Sequence, residues 1–217
     1  MDNSKFKLAM GQMLVEGGEA KANLDRATKM IENAADKGCS VIVLPECMDL
    51  GWANPAARDL AQPIPGSSSD ILCQAARESK IHVVAGLTER ADGRIYDTAL
   101  LISPGGEILV KHRKINILTD VEGMYSIGDH LAVATTPLST IGVDICADNF
   151  PDSLSLGHAL ARMGAQILLS PCWQVLAEGP YGETAECLMT VPIEPLQRRA
   201  RGTEIARMLK TKGYEGP

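Results

Sequence analysis

The sequence lacks the residue spacings that usually hold a metal ion or pair two cysteines. None of its four histidines stands in a His-x-x-x-His pair, and none of its six cysteines stands in a Cys-x-x-Cys pair. Zinc sites and dithiol motifs are commonly recognised by such spacings. The cysteines lie dispersed instead, mostly inside apolar runs. We therefore expect no metal site and reduced cysteines.

Long hydrophobic runs and an excess of basic charge are missing as well. The 217 residues include 21 basic and 27 acidic side chains, a net charge of −6, which argues against a general affinity for nucleic acid or anionic membranes. No apolar run is long enough to cross a bilayer, and residues 1–7 contain no apolar core of signal-peptide length. These absences predict a cytoplasmic protein whose partners are small molecules.

The composition that is present is that of a packed domain. Hydrophobic residues make up 45% of the chain and charged residues 22%, as in ordinary globular proteins. A chain of this length can bury a sizeable core without a second domain. We therefore expect residues 1–217 to form one domain.

The periodicity of the apolar residues predicts an α/β fold. Between Glu19 and Lys37 they recur at steps of three and four, which indicates a helix, and the β-branched run 40–44 indicates a strand covered on both faces. Turn residues separate three further runs, 82–90, 95–103 and 107–117, which are typical of hairpins. Together these units predict sheets whose outer faces are covered by helices.

A cysteine stands where a short apolar strand breaks into a turn, in the segment Gly142–Asp152. A sulfur at such a position has the next backbone N–H and the positive start of the following helix close by, and both favour the thiolate. Cys146 is therefore a candidate nucleophile. The alternative is that Cys146 is only a small buried hydrophobic residue.

Two charged residues close other predicted strands. Glu46 follows a buried strand, and Lys114 ends the basic run 111–114. Because the ends of neighbouring strands form pockets in layered α/β proteins, Glu46 could accept the thiol proton and Lys114 could balance a developing oxyanion. The backbone N–H of Ala147 would be the second oxyanion donor. Taken singly, Glu46 could equally cap a loop, and Lys114 could be a surface cation.

These segments resemble the nitrilase superfamily, the carbon–nitrogen hydrolases. Val43-Leu44-Pro45-Glu46 is similar to the motif that bears the family's catalytic glutamate. Lys114, within residues 112–116, and Cys146, within residues 142–148, fall on the family's lysine and cysteine. Glu122, eight residues after the lysine, matches the second glutamate, which in the family steadies the lysine and the substrate. The alternative for Glu122 is an exposed loop acid.

The resemblance implies a four-layer αββα sandwich that assembles into homo-oligomers, dimers or larger. It also implies that Cys146 attacks an amide or N-carbamoyl carbonyl, or a nitrile carbon, and that water activated by Glu46 hydrolyses the resulting thioester. Lys114 and the N–H of Ala147 would hold the oxyanion, and no cofactor would be needed. Trp173 is the candidate aromatic wall of the substrate pocket.

The sequence departs from the family pattern at two places. Near Gln174 a loop, a helix and core strands of the relatives are reduced to about one residue, so we infer an internal deletion around residues 173–175 and an incomplete second sheet. An impaired family member that serves as an assembly or interaction subunit is therefore the alternative function. The second departure is Asp97, where the family more often has asparagine. The difference matters because a carboxylate does not donate hydrogen bonds as an amide does.

Overall fold

Two β-sheets form the centre of the molecule. The computed structural model describes residues 6–172 and the backbone of residues 191–192. The first sheet has the order β1-β2-β3-β4-β5, with β1 (Leu8–Met10), β2 (Val41–Val43), β3 (His82–Ala91), β4 (Arg94–Ile102) and β5 (Ile108–Arg113). The second has the order β6-β7-β8-β9, with β6 (Val133–Thr135), β7 (Thr140–Val143), β8 (Ile167–Leu169) and β9 (Val191–Pro192).

The first sheet joins parallel strands to an antiparallel meander. Strand β2 pairs in parallel with both β1 and β3, whereas β4 pairs antiparallel with β3 and β5. The parallel part is connected through helices and the meander through tight turns, as the sequence predicted. Glu46 therefore follows a strand of the parallel part, β2, and Lys114 follows a strand of the antiparallel meander, β5, within the same sheet.

Five helices and one 3₁₀ turn complete the described part of the chain. They are α1 (Ala20–Asp36), α2 (Ala57–Leu60), α3 (Ser67–Ser79), α4 (Thr119–Glu122), the 3₁₀ turn Cys146–Asn149 and α5 (Leu154–Arg162). The apolar period predicted α1 closely. It cannot indicate the short α2, because one turn of helix is too short to show a period.

Side chains of β2 alternate between two separate hydrophobic cores. Ile42 points to the core that β3 and β4 share with α1 and α3, while Val41 and Val43 point to the core shared with the second sheet. On the far side of the second sheet, Leu160 of α5 packs against Leu168 of β8. The layer order is therefore helices, sheet, sheet, helix, which confirms the αββα sandwich.

Strand β5 is shorter than the sequence predicted. It ends at Arg113, because the backbone N–H groups of Ile115 and Asn116 donate to the carboxylate of Asp148, at 3.2 and 2.7 Å, and not to a strand. A side-chain acceptor that comes from the second sheet's side of the molecule cannot be recognised in the local sequence.

The second sheet is the smaller of the two. Its strands are two to four residues long, whereas β3 and β4 have ten and nine residues, in agreement with the expectation of an incomplete sheet. The inferred deletion around residues 173–175 lies outside the described residues and stays a prediction, as does the single domain. None of the helices in the described part combines the length and the apolar character needed to cross a membrane.

Candidate active site

Glu46 lies in the loop that follows β2, and no part of it is exposed. The loop passes so close to β3 that a Cβ added at Gly86 would lie 2.5 Å from the Cα of Glu46. Gly86 in turn donates to the carbonyl of Pro45 at 3.0 Å and accepts from the N–H of Met48 at 2.9 Å. A glycine at position 86 is therefore what allows the backbone of Glu46 to lie on the sheet.

Lys114 follows β5 and is also completely buried. Its Nζ donates to Glu46 Oε1 at 2.7 Å and to Glu122 Oε1, and it lies 3.6 Å from Asp97 Oδ2. Burial lowers the pKa of Lys114, but the neighbouring acids Asp97 and Glu46 and the hydrogen bonds to Glu122 and Glu46 outweigh it, so the pKa is raised. The side chain is therefore a charged ammonium held among carboxylates.

Glu122, at the end of α4, is fully buried, so it is not an exposed loop acid. In addition to Lys114, it accepts from the indole N–H of Trp52 at 2.5 Å and from the backbone N–H of Leu118 at 2.6 Å. Both carboxylate oxygens therefore have donors, and Glu122 is well placed to hold Lys114 against Glu46.

Cys146 begins the 3₁₀ turn that follows β7. Its φ of 41° lies in the left-handed region that a non-glycine residue seldom adopts. Its Sγ lies within 4.8 Å of a carboxylate oxygen of Glu46 and 3.4 Å from the Sγ of Cys172. Because Glu46 also contacts Lys114, the glutamate, the lysine and the cysteine predicted from the sequence converge on one place.

The expectation that the turn would favour a thiolate at Cys146 is wrong. Contact with the thiol of Cys172, burial and the negative charge of Glu46 raise the pKa of Cys146, and among the causes only Lys114 acts in the opposite direction. The turn after the cysteine is 3₁₀, and α5 begins only at Leu154, so no α-helix starts at the sulfur. The resting group is a thiol, which needs a base when it attacks.

The 3₁₀ turn is fixed to the segment after Lys114 by Asp148. Its carboxylate contacts His112 Nε2 at 2.8 Å and accepts from the N–H of Ile145 at 3.2 Å, in addition to the two N–H groups that end β5. Asn116 Nδ2 also donates to the carbonyl of Ala147 at 2.7 Å. These bonds couple the lysine segment to the cysteine turn across the two sheets.

The sequence predicted no role for Asp148, His112 or Cys172 and left the effect of Asp97 open. A signal existed for His112, since alternate residues of a strand share a face and His112 precedes Lys114 by two. Trp52 and Cys172 reach the site from loops, where the sequence has no helical or strand periodicity that would predict the direction of a side chain. Ala147 is buried within the 3₁₀ turn, and its role as an oxyanion donor stays a prediction. Trp173 lies outside the described residues.

Two groups of potential metal ligands occur in the described part of the chain. Glu46, Asp97 and Glu122 form one group, and Glu46, Cys146 and Cys172 form the other. The three acids of the first group surround the ammonium of Lys114. Their convergence is therefore accounted for by a cation that the chain itself supplies.

Comparison with known proteins gives matches over most of the chain. Residues 7–187 match the carbon–nitrogen hydrolase family. The chain is 36% identical over 188 residues to the Omega-amidase NIT2-A of Xenopus laevis, covering 82% of this chain and 67% of that protein. It is 30% identical over 188 residues to the human Omega-amidase NIT2, with the same coverage of 82% and 67%.

Solved structures of similar fold include Nit3 of Saccharomyces cerevisiae, a member of branch 10 of the nitrilase superfamily. Its TM-score is 0.69 at 28% identity, covering 78% of this chain and 65% of that one. An amidase from Nesterenkonia sp. has a TM-score of 0.71 at 22% identity, covering 83% and 68% of the two chains, and this likeness concerns the fold alone.

Proposed function

The chain belongs to the carbon–nitrogen hydrolase family, and on this premise we propose that it hydrolyses a small-molecule amide through a thioester on Cys146. One observation carries the proposal. Glu46 accepts a hydrogen bond from Lys114 at 2.7 Å while one of its oxygens lies within 4.8 Å of the sulfur of Cys146. A base, a cation and a nucleophile thus meet around the place where a carbonyl carbon would sit.

In the first half of the reaction, Glu46 accepts the proton of Cys146 as the sulfur attacks the carbonyl carbon. The oxyanion that forms is stabilised by the ammonium of Lys114 and by the backbone N–H of Ala147. The C–N bond then breaks, and the proton on Glu46 passes to the departing nitrogen, which leaves as ammonia or amine. The acyl group remains on the sulfur as a thioester.

In the second half, Glu46 accepts a proton from water, whose oxygen attacks the thioester carbon. The carboxylic acid leaves, and the proton returns to the sulfur. The raised pKa of Cys146 suits this cycle, because the free enzyme then stores the proton on sulfur and Glu46 remains available as the base. Glu122 orients Lys114 during both halves.

The relatives' names indicate which substrates to test first. Because the Xenopus and human relatives are Omega-amidases, the first class is small molecules with a terminal (omega) carboxamide. N-carbamoyl amino acids and nitriles form the second and third classes. Assembly into a homo-oligomer, as predicted from the resemblance, is measured on the same preparation by light scattering.

The test follows ammonia release from the three substrate classes by the wild type, Cys146→Ala and Cys39→Ala. Loss of the nucleophile is expected to reduce kcat/KM by at least about 10³-fold. Cys39→Ala removes a partly buried thiol in the segment that follows α1 and is the matched control. Its kcat/KM should equal that of the wild type. Mass spectrometry after rapid acid quench should show the acyl group on the peptide that contains Cys146.

If the wild type and Cys146→Ala are both folded and neither releases ammonia from any substrate, the enzyme proposal is refuted. The alternative, a family member that serves as an assembly or interaction subunit, would then be the function to pursue. Activity that survives in Cys146→Ala would instead show that another group is the nucleophile.

A further inference from the structure

Asp97, on β4, is the least satisfied acid around Lys114. It is completely buried, and neither of its carboxylate oxygens accepts a hydrogen bond within the described residues. Its Oδ2 lies 3.6 Å from Lys114 Nζ, and one of its oxygens lies within 4.8 Å of carboxylate oxygens of both Glu46 and Glu122. A buried acid without a donor is uncommon enough to require an explanation.

The charges around Lys114 do not balance if every acid is ionised. Three carboxylates with no exposed surface would face one ammonium, which leaves two uncompensated negative charges in the interior. Buried like charges this close cannot all ionise at neutral pH, so such groups retain a proton. At least one of the three acids is therefore expected to be neutral.

The hydrogen bonds indicate which acid holds the proton. Glu46 accepts from Lys114, and Glu122 accepts from Lys114, Trp52 and Leu118. Such donors stabilise an ionised carboxylate, and Asp97 has none. Burial, followed by the negative charge of Glu46, raises the pKa of Asp97 well above its ordinary value.

We infer that Asp97 is a neutral carboxylic acid that donates its proton in a hydrogen bond to Glu46 and positions that carboxylate for the reaction. The neutral acid would then supply one donor toward Glu46, as one of the two N–H groups of an asparagine amide would at the same place. Asp97 touches neither the nucleophile nor the substrate in this account, so it is a positioning residue. Its mechanistic consequence rests on the proposed function of Glu46.

Several ionisable groups face Asp97 or its partners: Glu46 and Cys47 after β2, Lys114 after β5, Glu122 and Tyr125 near α4, and Cys146 on the cysteine turn. Loss of the proton from Asp97 at alkaline pH would add a negative charge beside Glu46 and remove the donor. We therefore expect kcat of the wild type to fall on the alkaline side, and Asp97→Asn to lack that fall.

Infrared spectroscopy tests the protonation state without any substrate. The wild type, Asp97→Asn and the control variant Glu89→Gln are each labelled with ¹³C-aspartate and measured at pH 8. The expected result is a carbonyl band of a protonated carboxylic acid that shifts with the aspartate label, disappears in Asp97→Asn and persists in Glu89→Gln. Absence of any such band that Asp97→Asn removes would overturn the inference, whether or not the protein is an amidase.

Activity tests the positioning role. Asp97→Asn should keep kcat close to the wild-type value at pH 7, whereas Asp97→Ala should lower it by about 10- to 100-fold through misplacement of Glu46. An Asp97→Asn variant as slow as Asp97→Ala, with an unchanged melting temperature, would show that the charge of Asp97 is needed and would refute the inference. If no variant is active, the infrared band still decides between a neutral and an ionised Asp97.

Discussion

Two clusters of charged side chains lie on or beside the first sheet, and their charges balance differently. The Glu89 cluster contains Glu89, Thr98, Lys111 and Arg113, and the Lys114 cluster contains Glu46, Asp97, Lys114 and Glu122. The first has one acid and two bases, the second three acids and one base. The two clusters therefore contain the same types of residue, and the ratio of acidic to basic side chains distinguishes the structural cluster from the candidate active site.

In the Glu89 cluster every carboxylate oxygen has donors. Glu89 accepts from Lys111 at 2.9 Å, from Thr98 at 2.8 Å and twice from Arg113 at 2.8 Å. Burial raises the pKa of Glu89, but the hydrogen bonds from Arg113, Lys111 and Thr98 outweigh it and lower the pKa overall. Such a carboxylate has no proton to give and no reason to accept one at neutral pH, so the cluster contributes stability and no chemistry.

Replacing one lysine of each cluster, Lys114 or Lys111, with methionine should give the largest difference in stability and activity. Lys114→Met removes the ammonium that contacts Glu46, Asp97 and Glu122, and leaving buried acids without it should cost about 3–5 kcal/mol in the free energy of unfolding. The loss should be greater at pH 8 than at pH 5, because protonation relieves the acids. Amidase activity should fall below detection. Urea unfolding at the two pH values measures the stability.

Lys111→Met is the matched control, since it lies on β5 three residues earlier and its side chain is 32% exposed. Glu89 keeps Arg113 and Thr98, so the expected cost is about 1 kcal/mol or less. Activity should be retained. Equal losses of stability in the two variants would show that the unbalanced charge around Lys114 has no energetic consequence.

The Lys114 cluster should also depend on backbone fit at Gly86 more strongly than the second sheet depends on it at Gly142. Gly86→Ala places a methyl group 2.5 Å from the Cα of Glu46, where only backbone could move, and should cost about 3 kcal/mol and displace the base. Gly142→Ala on β7 meets the end of the Leu168 side chain at 2.7 Å, which can rotate away, and should cost about 1 kcal/mol. Thermal unfolding and kcat measure both effects.

If Gly142→Ala proved as costly and as inactive as Gly86→Ala, the close approach at Glu46 would not be special. Comparable activity of Gly86→Ala and the wild type would show that the loop after β2 can move without harm to the site.

The sequence predicted the helices and strands whose apolar period is long, such as α1 and β3, and the three residues that close strands at the site. The basic run 111–114 was not divided between two clusters from the sequence, although the signal for that division was present. In the structure Lys111 and Arg113 reach Glu89, whereas His112 and Lys114 reach Asp148 and Glu46. The alternation of a strand separates the two pairs.

Contacts made across the fold were beyond prediction for a physical reason. Asp148 and Asp97 act on segments more than 15 positions away along the chain, the segment after Lys114 in one case and Glu46 in the other. Local periodicity holds no information on such partners. The pKa of Cys146 was likewise misjudged, because Cys172 and Glu46 raise it from distant segments while the local turn suggested the opposite.

The smallest expected effect is a pH dependence that distinguishes the clusters by its sign. Glu89 has a lowered pKa in the folded protein, so it adds stability above its unfolded pKa of about 4.3, and that stability is lost as the pH falls through the folded value. Glu89→Gln should therefore cost about 1–2 kcal/mol at pH 7 and progressively less below pH 4. Asp97, whose pKa is raised, should contribute with the opposite sign.

Asp97→Asn provides the other half of this measurement. A raised folded pKa means that ionisation opposes folding, so the wild type should lose stability relative to Asp97→Asn as the pH rises toward the folded value, and the two should converge in acid. Urea unfolding from pH 3 to pH 9 gives both difference curves. Difference curves that slope the same way for Glu89→Gln and Asp97→Asn would mean that both carboxylates are ionised and stabilised alike, and the contrast between the two clusters would then reduce to burial alone.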